Sequence, residues 1–210
     1  QLLHEKFSVD KNKAVVLVSS HLAAEELFDF LGKQVEMIED QSIFAVCVEK
    51  DSPDYKNTRS FLQHTGYSPS SRLAEQYLFE KGTLIDTFDE RIYLEADPQE
   101  FINNTLRDAY GLKESAGISL GICGMNAVFS ALKSIERVQQ KEERNIFVQF
   151  GWLYLDTMEI LRKFRSHTMH VEAKMSIAKL ENFLKAKGNQ TAAIFTEVPT
   201  NPLIQTPAPP

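Results

Sequence analysis

Short β-branched runs alternate with stretches of helical periodicity along most of this chain, and that alternation constrains its fold more than any other feature. Ala14-Val15-Val16-Leu17-Val18 is followed by His21 to Leu31, with apolar residues at helical spacing and Gly32 as a stop, and then by the strand-like run Ser42-Ile43-Phe44-Ala45-Val46-Cys47-Val48. Residues 14–48 therefore read as a compact β-α-β unit with a short connecting segment. Beyond Gly124 the pattern repeats. A helix carries Met125, Val128, Phe129, Leu132 and Ile135 on one face and ends in the charged run Gln139 to Arg144. Strand Ile146 to Phe150, helix Thr157 to Phe164, a short strand near Met169-His170-Val171, helix Ser176 to Lys187 and strand Ala192 to Glu197 follow. Strands joined through helices need crossovers, so the pattern predicts an α/β fold with a mainly parallel sheet flanked by helices.

The middle of the chain is less regular. Asn57 to Glu80 has helical spacing broken by Thr65-Gly66-Tyr67-Ser68-Pro69-Ser70-Ser71-Arg72, where a loop bearing Arg72 is expected. Asp97 reads as an N-cap with Pro98 at the first helical position. The helix it opens would turn Phe101, Ile102, Leu106 and Tyr110 inward before Gly111 stops it. The polar stretch Glu49 to Tyr55 marks a boundary. The expected organisation is a β-α-β segment over 1–52, a helical arm and linker over 53–99, and the start of a larger α/β domain over 100–210.

Composition removes several functional classes. A formal charge of −6 with 23 dispersed Lys and Arg offers no basic face for nucleic acid. The two cysteines, Cys47 and Cys123, make neither a disulfide framework nor a zinc-type spacing, which fits a reducing cytoplasm. His4, His21, His64, His167 and His170 have no metal-ligand spacing, and no metal site is expected. No apolar run approaches the roughly twenty residues that span a bilayer, and the first residues lack a signal-peptide pattern. The chain begins without Met, so an incomplete N-terminus is an open expectation.

Four places carry chemistry. Ile122-Cys123-Gly124-Met125 is a Gly-containing turn at the head of an amphipathic helix, where N–H donors and the positive end of the helix dipole suit a phosphate. Tyr154 lies just past a strand, where α/β proteins place ligands and where an aromatic ring can stack on a flat heterocycle. Asn201 stands between Pro199 and Pro202, which stiffen the backbone around its amide. Arg72 could clamp a phosphate. Taken singly, each also has a purely structural reading: a tight turn, a core-edge aromatic, an Asx turn and a solvent-facing Arg.

Together they carry more. Phe61-Leu62-Gln63-His64-Thr65-Gly66 with Ser70-Ser71-Arg72-Leu73-Ala74-Glu75, then Cys123 to Phe129, then Phe150-Gly151-Trp152-Leu153-Tyr154-Leu155-Asp156-Thr157, then Glu197-Val198-Pro199-Thr200-Asn201-Pro202-Leu203 occur in order. This series resembles the Cys/Met-metabolism family of pyridoxal-phosphate (PLP) enzymes, and most closely its cystathionine γ-synthase branch of fungal and related bacterial type. The resemblance implies a fold-type-I PLP-dependent transferase fold, aspartate aminotransferase-like, and pyridoxal 5'-phosphate as cofactor. It implies that the amides of Gly124 and Met125 bind the cofactor phosphate, with Cys123 where the family usually has Ser. It implies that Tyr154 stacks on the pyridine ring, that Asn201 sits beside the cofactor hydroxyl and the substrate carboxylate, and that Arg72 reaches the phosphate of a neighbouring subunit in a homodimer or homotetramer.

The chain departs from the broad family at Ser70, where Tyr is usual, and at Leu155 and Asp156, where two glycines are usual. The family's pyridine-nitrogen aspartate and Schiff-base lysine lie beyond the Pro-Thr-Asn-Pro turn, and this sequence runs only eight residues past Pro202. No catalytic residue is therefore assigned here. The implied activity is γ-replacement of an acyl-homoserine by cysteine, on small amino-acid substrates. Cystathionine γ-lyase and acyl-homoserine sulfhydrylase activities are alternatives, as is a non-catalytic fragment of the fold, and the chain by itself is expected to be inactive.

Overall fold

The computed structural model describes residues 2–88, 97–164, 168–172 and 176–206. They fall into two compact units, one made of Gln1–Pro69 with Ile122–Pro210 and the other of Ser70–Gly121.

In the first unit, α1 (Leu2–Lys6), β1 (Lys13–Val18), α2 (His21–Leu31), β2 (Glu36–Asp40), β3 (Ile43–Glu49) and α3 (Pro53–Thr65) come in order. Ser20 caps α2 by accepting the Ala23 N–H, and Gly32 closes it in the left-handed region at φ 68°. The β-α-β reading fails here. Glu36-Met37-Ile38-Glu39-Asp40, which reads as a connecting segment, is a strand, and β1 and β2 both pair antiparallel with β3 in the order β1-β3-β2. A five-residue strand with three acidic residues buries Ile38 and Asp40 and half-buries Met37, too short an apolar pattern to register as a strand. The same hairpin reverses the chain, so no crossover is needed. β3 is buried on both faces: Val46 joins the main core, while Ala45 and Cys47 pack with Val9 and Ile38 under Leu3 and Phe7. Glu49 to Tyr55, read as a boundary, runs from the last residue of β3 into the first turn of α3, with Ser52 accepting the Tyr55 N–H and Pro53 in that turn.

After Ile122 the same unit continues with α6 (Gly124–Gln139), β4 (Ile146–Phe150), α7 (Leu155–Lys163), β5 (Thr168–Glu172), α8 (Ile177–Lys187) and β6 (Thr191–Phe195). The sheet here is parallel, in the order β5-β4-β6, with Val148 opposite His170 on one side and Ile194 on the other. One core joins both stretches: Val18, Leu27, Phe61, Phe129, Leu132, Phe147, Leu153, Ile160 and Leu161 are buried together. Within it the rings of Phe30, Phe61, Tyr67, Phe129 and Phe164 pack against one another, from 4.8 Å between the Phe30 and Phe164 centroids to 6.4 Å between Phe61 and Phe129.

The second unit holds α4 (Ser71–Glu80) and α5 (Pro98–Tyr110). Asp97 caps α5 through the Gln99 and Glu100 N–H groups, and Gly111 ends it at φ 59°. The expected inward face does not form: Phe101 is 67% exposed and Tyr110 74%, and α5 has no buried residue. The sequence places an apolar stripe on this helix, but no element among the described residues of its own unit covers it. His167 and the Pro-rich end 207–210 lie outside the described residues. Among those described, no helix is long and apolar enough to cross a membrane.

Candidate functional site

The head of α6 is anchored from beneath. Cys123 occupies the N-cap position with extended backbone but makes no side-chain cap, and the buried Asn126 fastens the turn before the helix. Its Oδ1 accepts the Ile122 N–H at 3.4 Å, and its Nδ2 donates to the Thr65 carbonyl at 3.4 Å, tying α6 to the end of α3. Gly66 lies in the left-handed region at φ +67°, and a Cβ there would stand 2.3 Å from Cys123 Sγ and 2.9 Å from the Asn126 nitrogen. Only glycine satisfies both the conformation and the approach.

Gly124 is the opposite case. A Cβ on it would meet nothing within 4 Å. The fold does not use that glycine for packing. The first backbone bond of α6 runs from the Ala127 N–H to the Cys123 carbonyl at 3.0 Å, so the N–H groups of Gly124, Met125 and Asn126 have no acceptor within the helix. Donors, dipole and open space coincide there.

The carboxyl ends of β4 and β6 lie on one edge because the two strands are parallel neighbours. From β4 the chain turns through Gly151 at φ 78°, whose carbonyl accepts from Gln149 Nε2 at 3.2 Å, to Tyr154 as N-cap of α7. The Tyr154 N–H donates to Glu197 Oε1 at 2.8 Å, and its carbonyl accepts the Met158 N–H. Beyond β6, buried Thr200 organises the turn that carries the exposed Asn201. Its N–H donates to the Gln205 carbonyl, its carbonyl accepts the Ile204 N–H at 2.7 Å, and its Oγ1 accepts the Gln205 N–H at 2.9 Å. A hollow of about 340 Å³ opens at this edge, lined by Ala127, Val128 and Ala131 of α6, by Leu153 and Thr157, and by Phe195, Thr196 and Glu197. Tyr154 and Asn201 are not part of that lining; the Tyr154 side chain is 42% exposed.

Arg72 is not in a loop. Ser70 accepts the Leu73 N–H and caps α4, which puts Arg72 in its first turn. Within its own unit the guanidinium pairs with Glu75 and lies 4.1 Å from the Phe88 ring centroid.

Sequence reasoning missed a cluster beside α7. Asp156, where the family has glycine, accepts from Gln63 Nε2 at 3.3 Å and stands 3.7 Å from Nε2 of His64, which is almost fully buried. The other ring nitrogen of His64 is 2.5 Å from the Ser60 carbonyl, which can only accept, so Nδ1 carries a proton. Asp156 thus fastens the start of α7 to the end of α3. The one signal for it was the placement of Ser60, Gln63 and His64 on one face of α3.

Charge is concentrated elsewhere. Glu159 is held down at about 2 by its bond to Arg162 and then by Lys163, while burial pushes the Cys47 thiol and the Tyr67 hydroxyl up. Lys163 also donates to Ser60 Oγ at 2.9 Å, and Lys133 pairs with Glu136. Both lysines line a separate cavity of about 290 Å³ with Glu26 and Asp29.

Comparison with known proteins agrees with the kinship read from the motifs. The chain is 33% identical over 196 residues to the L-2-amino-4-chloropent-4-enoate dechlorinase/desaturase of Streptantibioticus cattleyicolor, covering 92% of this chain and 39% of that protein. It is 28% identical over 130 residues to cystathionine gamma-synthase of Saccharomyces cerevisiae, covering 53% of this chain and 20% of that one. To the Neurospora crassa cystathionine gamma-synthase it is 32% identical over 111 residues, covering 50% and 18%. The chain therefore spans well under half the length of each of these relatives. No family model matches it, and no solved structure matches it. The two synthases are of the kind that the four ordered motifs resemble, which supports a relationship to the Cys/Met-metabolism enzymes.

Proposed function

We propose that this chain supplies the phosphate-and-ring half of a pyridoxal-phosphate site in an enzyme that acts at the γ-carbon of an L-amino acid. The observation that carries this reading is the open space over Gly124 at the head of α6, next to N–H groups with no helical acceptor. Gly124 and Met125 hold the phosphate, Tyr154 covers the ring, and Asn201 is presented toward the cofactor hydroxyl and the substrate carboxylate. Arg72 serves a neighbouring subunit's phosphate in a homodimer or tetramer, giving up its partner within the chain to do so. When bound, the cofactor supplies an electron sink for charge developing beside the substrate amino group.

The names of the relatives narrow the substrate class. A γ-synthase and a 4-chloro amino-acid dechlorinase both act on substrates with a leaving group at the same carbon, C4. Replacement of an acyl-homoserine substituent by cysteine is the principal reading. Loss of a γ-substituent without a thiol is the second, favoured by the dechlorinase similarity over 92% of the chain. Lys133 and Lys163 are paired with Glu136 and Glu159 on another cavity, so neither is placed to act as the cofactor's amine. The 210-residue chain is expected to bind the cofactor without turnover.

Gly124→Ala tests the site, because the added Cβ meets nothing within 4 Å and leaves the fold's own contacts intact. Affinity for pyridoxine 5'-phosphate should fall about tenfold or more while thermal stability is unchanged. Equal affinity in the variant and the wild type would remove the phosphate cradle from α6. Borohydride reduction with pyridoxal phosphate should label several surface lysines substoichiometrically; a single fully labelled lysine together with cystathionine formation would overturn the expectation of inactivity.

A further inference from the structure

We infer that Glu197 is a positioning residue for Tyr154, setting the ring through the backbone amide at the start of α7; the inference rests on the cofactor reading above. Glu197 follows β6 and Tyr154 follows β4, two strands paired in parallel, and the carboxylate reaches between them to accept the Tyr154 N–H at 2.8 Å. That N–H sits at the N-cap, where the helix has no carbonyl to offer it. Tyr154 makes no side-chain cap of its own, so the Glu197 bond is what fixes the backbone from which the half-exposed ring projects. The same carboxylate lines the hollow beneath α6. Three residues further on, Thr200 anchors the Asn201 turn, so Glu197 also connects the two arms that would meet a flat ligand.

What matters in this role is reach and an accepting oxygen, more than charge. Glu197→Gln keeps both and should stay within about twofold of wild type. Glu197→Asp keeps the charge but is one methylene short, and should behave like Glu197→Ala. The chain's single tryptophan, Trp152, lies two residues before Tyr154 and reports on this turn by fluorescence. In titrations with pyridoxine 5'-phosphate, Glu197→Ala and Glu197→Asp should each weaken binding about five- to tenfold, as expected for loss of one charge-assisted hydrogen bond. In a Tyr154→Ala background the further loss should be less than about twofold, because the effect runs through the ring. Hydrogen exchange gives a readout that needs no ligand: the Tyr154 amide should exchange at least about tenfold faster in Glu197→Ala and Glu197→Asp, and near the wild-type rate in Glu197→Gln.

Three outcomes overturn the inference. They are wild-type affinity in Glu197→Ala, losses from Glu197→Ala and Tyr154→Ala that multiply, and a single exchange rate for the Tyr154 amide in all the variants. If wild type binds and loses affinity on Tyr154→Ala while Glu197→Ala is silent, only the positioning role falls. If wild type does not bind pyridoxine 5'-phosphate, both the role and the cofactor reading fall.

Discussion

Helices α5 and α6 are both amphipathic, with apolar residues at helical spacing, yet they end up in opposite states. On α6, Phe129 is 2% exposed and Leu132 fully buried; on α5, Phe101 is 67% exposed and Tyr110 74%. The difference lies in the neighbours, since α6 returns to a unit already holding α2, α3 and β4, whereas α5 shares its unit only with α4 among the described helices. An apolar stripe in a sequence therefore states a demand for cover without naming what meets it.

The largest expected contrast is between truncations on the two faces. Leu132→Ala should cost about 2–5 kcal/mol in chemical denaturation, and Phe101→Ala within about 0.5 kcal/mol. A comparable loss for Phe101→Ala would mean that the α5 face is covered in solution and that the comparison with α6 fails.

The two helix-stop glycines sharpen the same point at smaller scale. Gly66 and Gly111 both sit at positive φ, but an added Cβ strikes Cys123 and Asn126 at the first and open space at the second. Gly111→Ala should cost about 1 kcal/mol from backbone strain alone, and Gly66→Ala about 2–3 kcal/mol, with Asn126 displaced and phosphate-analogue binding at α6 weakened. Equal costs would show that the α3–α6 contact yields without penalty.

The smallest effect belongs to the surface of α7. Glu159 has a folded-state pKa depressed to about 2, so its contribution is present above the ordinary carboxylate range and is lost as the pH falls from about 4.5 toward 2. Glu159→Gln should remove that acid-range loss and lower stability at neutral pH by the same small amount, because the Arg162 side of the pair is largely exposed and screened by solvent. An acid unfolding midpoint identical to wild type would show that Arg162 and Lys163 pair with Glu159 to no energetic end.

Much of the architecture was legible because it is written in local chemistry. Ser20, Ser52, Ser70 and Asp97 cap helices where the chain has a short polar side chain ahead of an apolar-periodic segment, and Gly32, Gly66 and Gly111 end them. The strands β4 and β6 of the parallel sheet lie close to their expected spans because each is a compact, mostly apolar run between polar turns. β2 escaped notice because Glu36, Glu39 and Asp40 mask its alternation, and with it went the antiparallel pairing of the first sheet. Of the candidate site, the Gly124 turn and the strand-end placement of Tyr154 were readable from pattern. The Glu197 bond to Tyr154, 43 residues away, and the His64–Asp156 approach were not, since neither has a local signature.

By itself, then, the sequence determined where helices begin and stop, which faces are apolar, and which short motifs suit a phosphate and a flat ring. These follow from hydrogen-bonding and steric preferences acting over a few residues. The tertiary structure alone decided that β1 and β2 run against β3, that Phe129 and Leu132 of α6 are buried while Phe101 and Tyr110 of α5 are exposed among the described residues, and that Glu197 holds the turn bearing Tyr154. Those outcomes depend on which distant surfaces meet, and contact between residues far apart in the chain is set by packing and chain reversal, not by local preference.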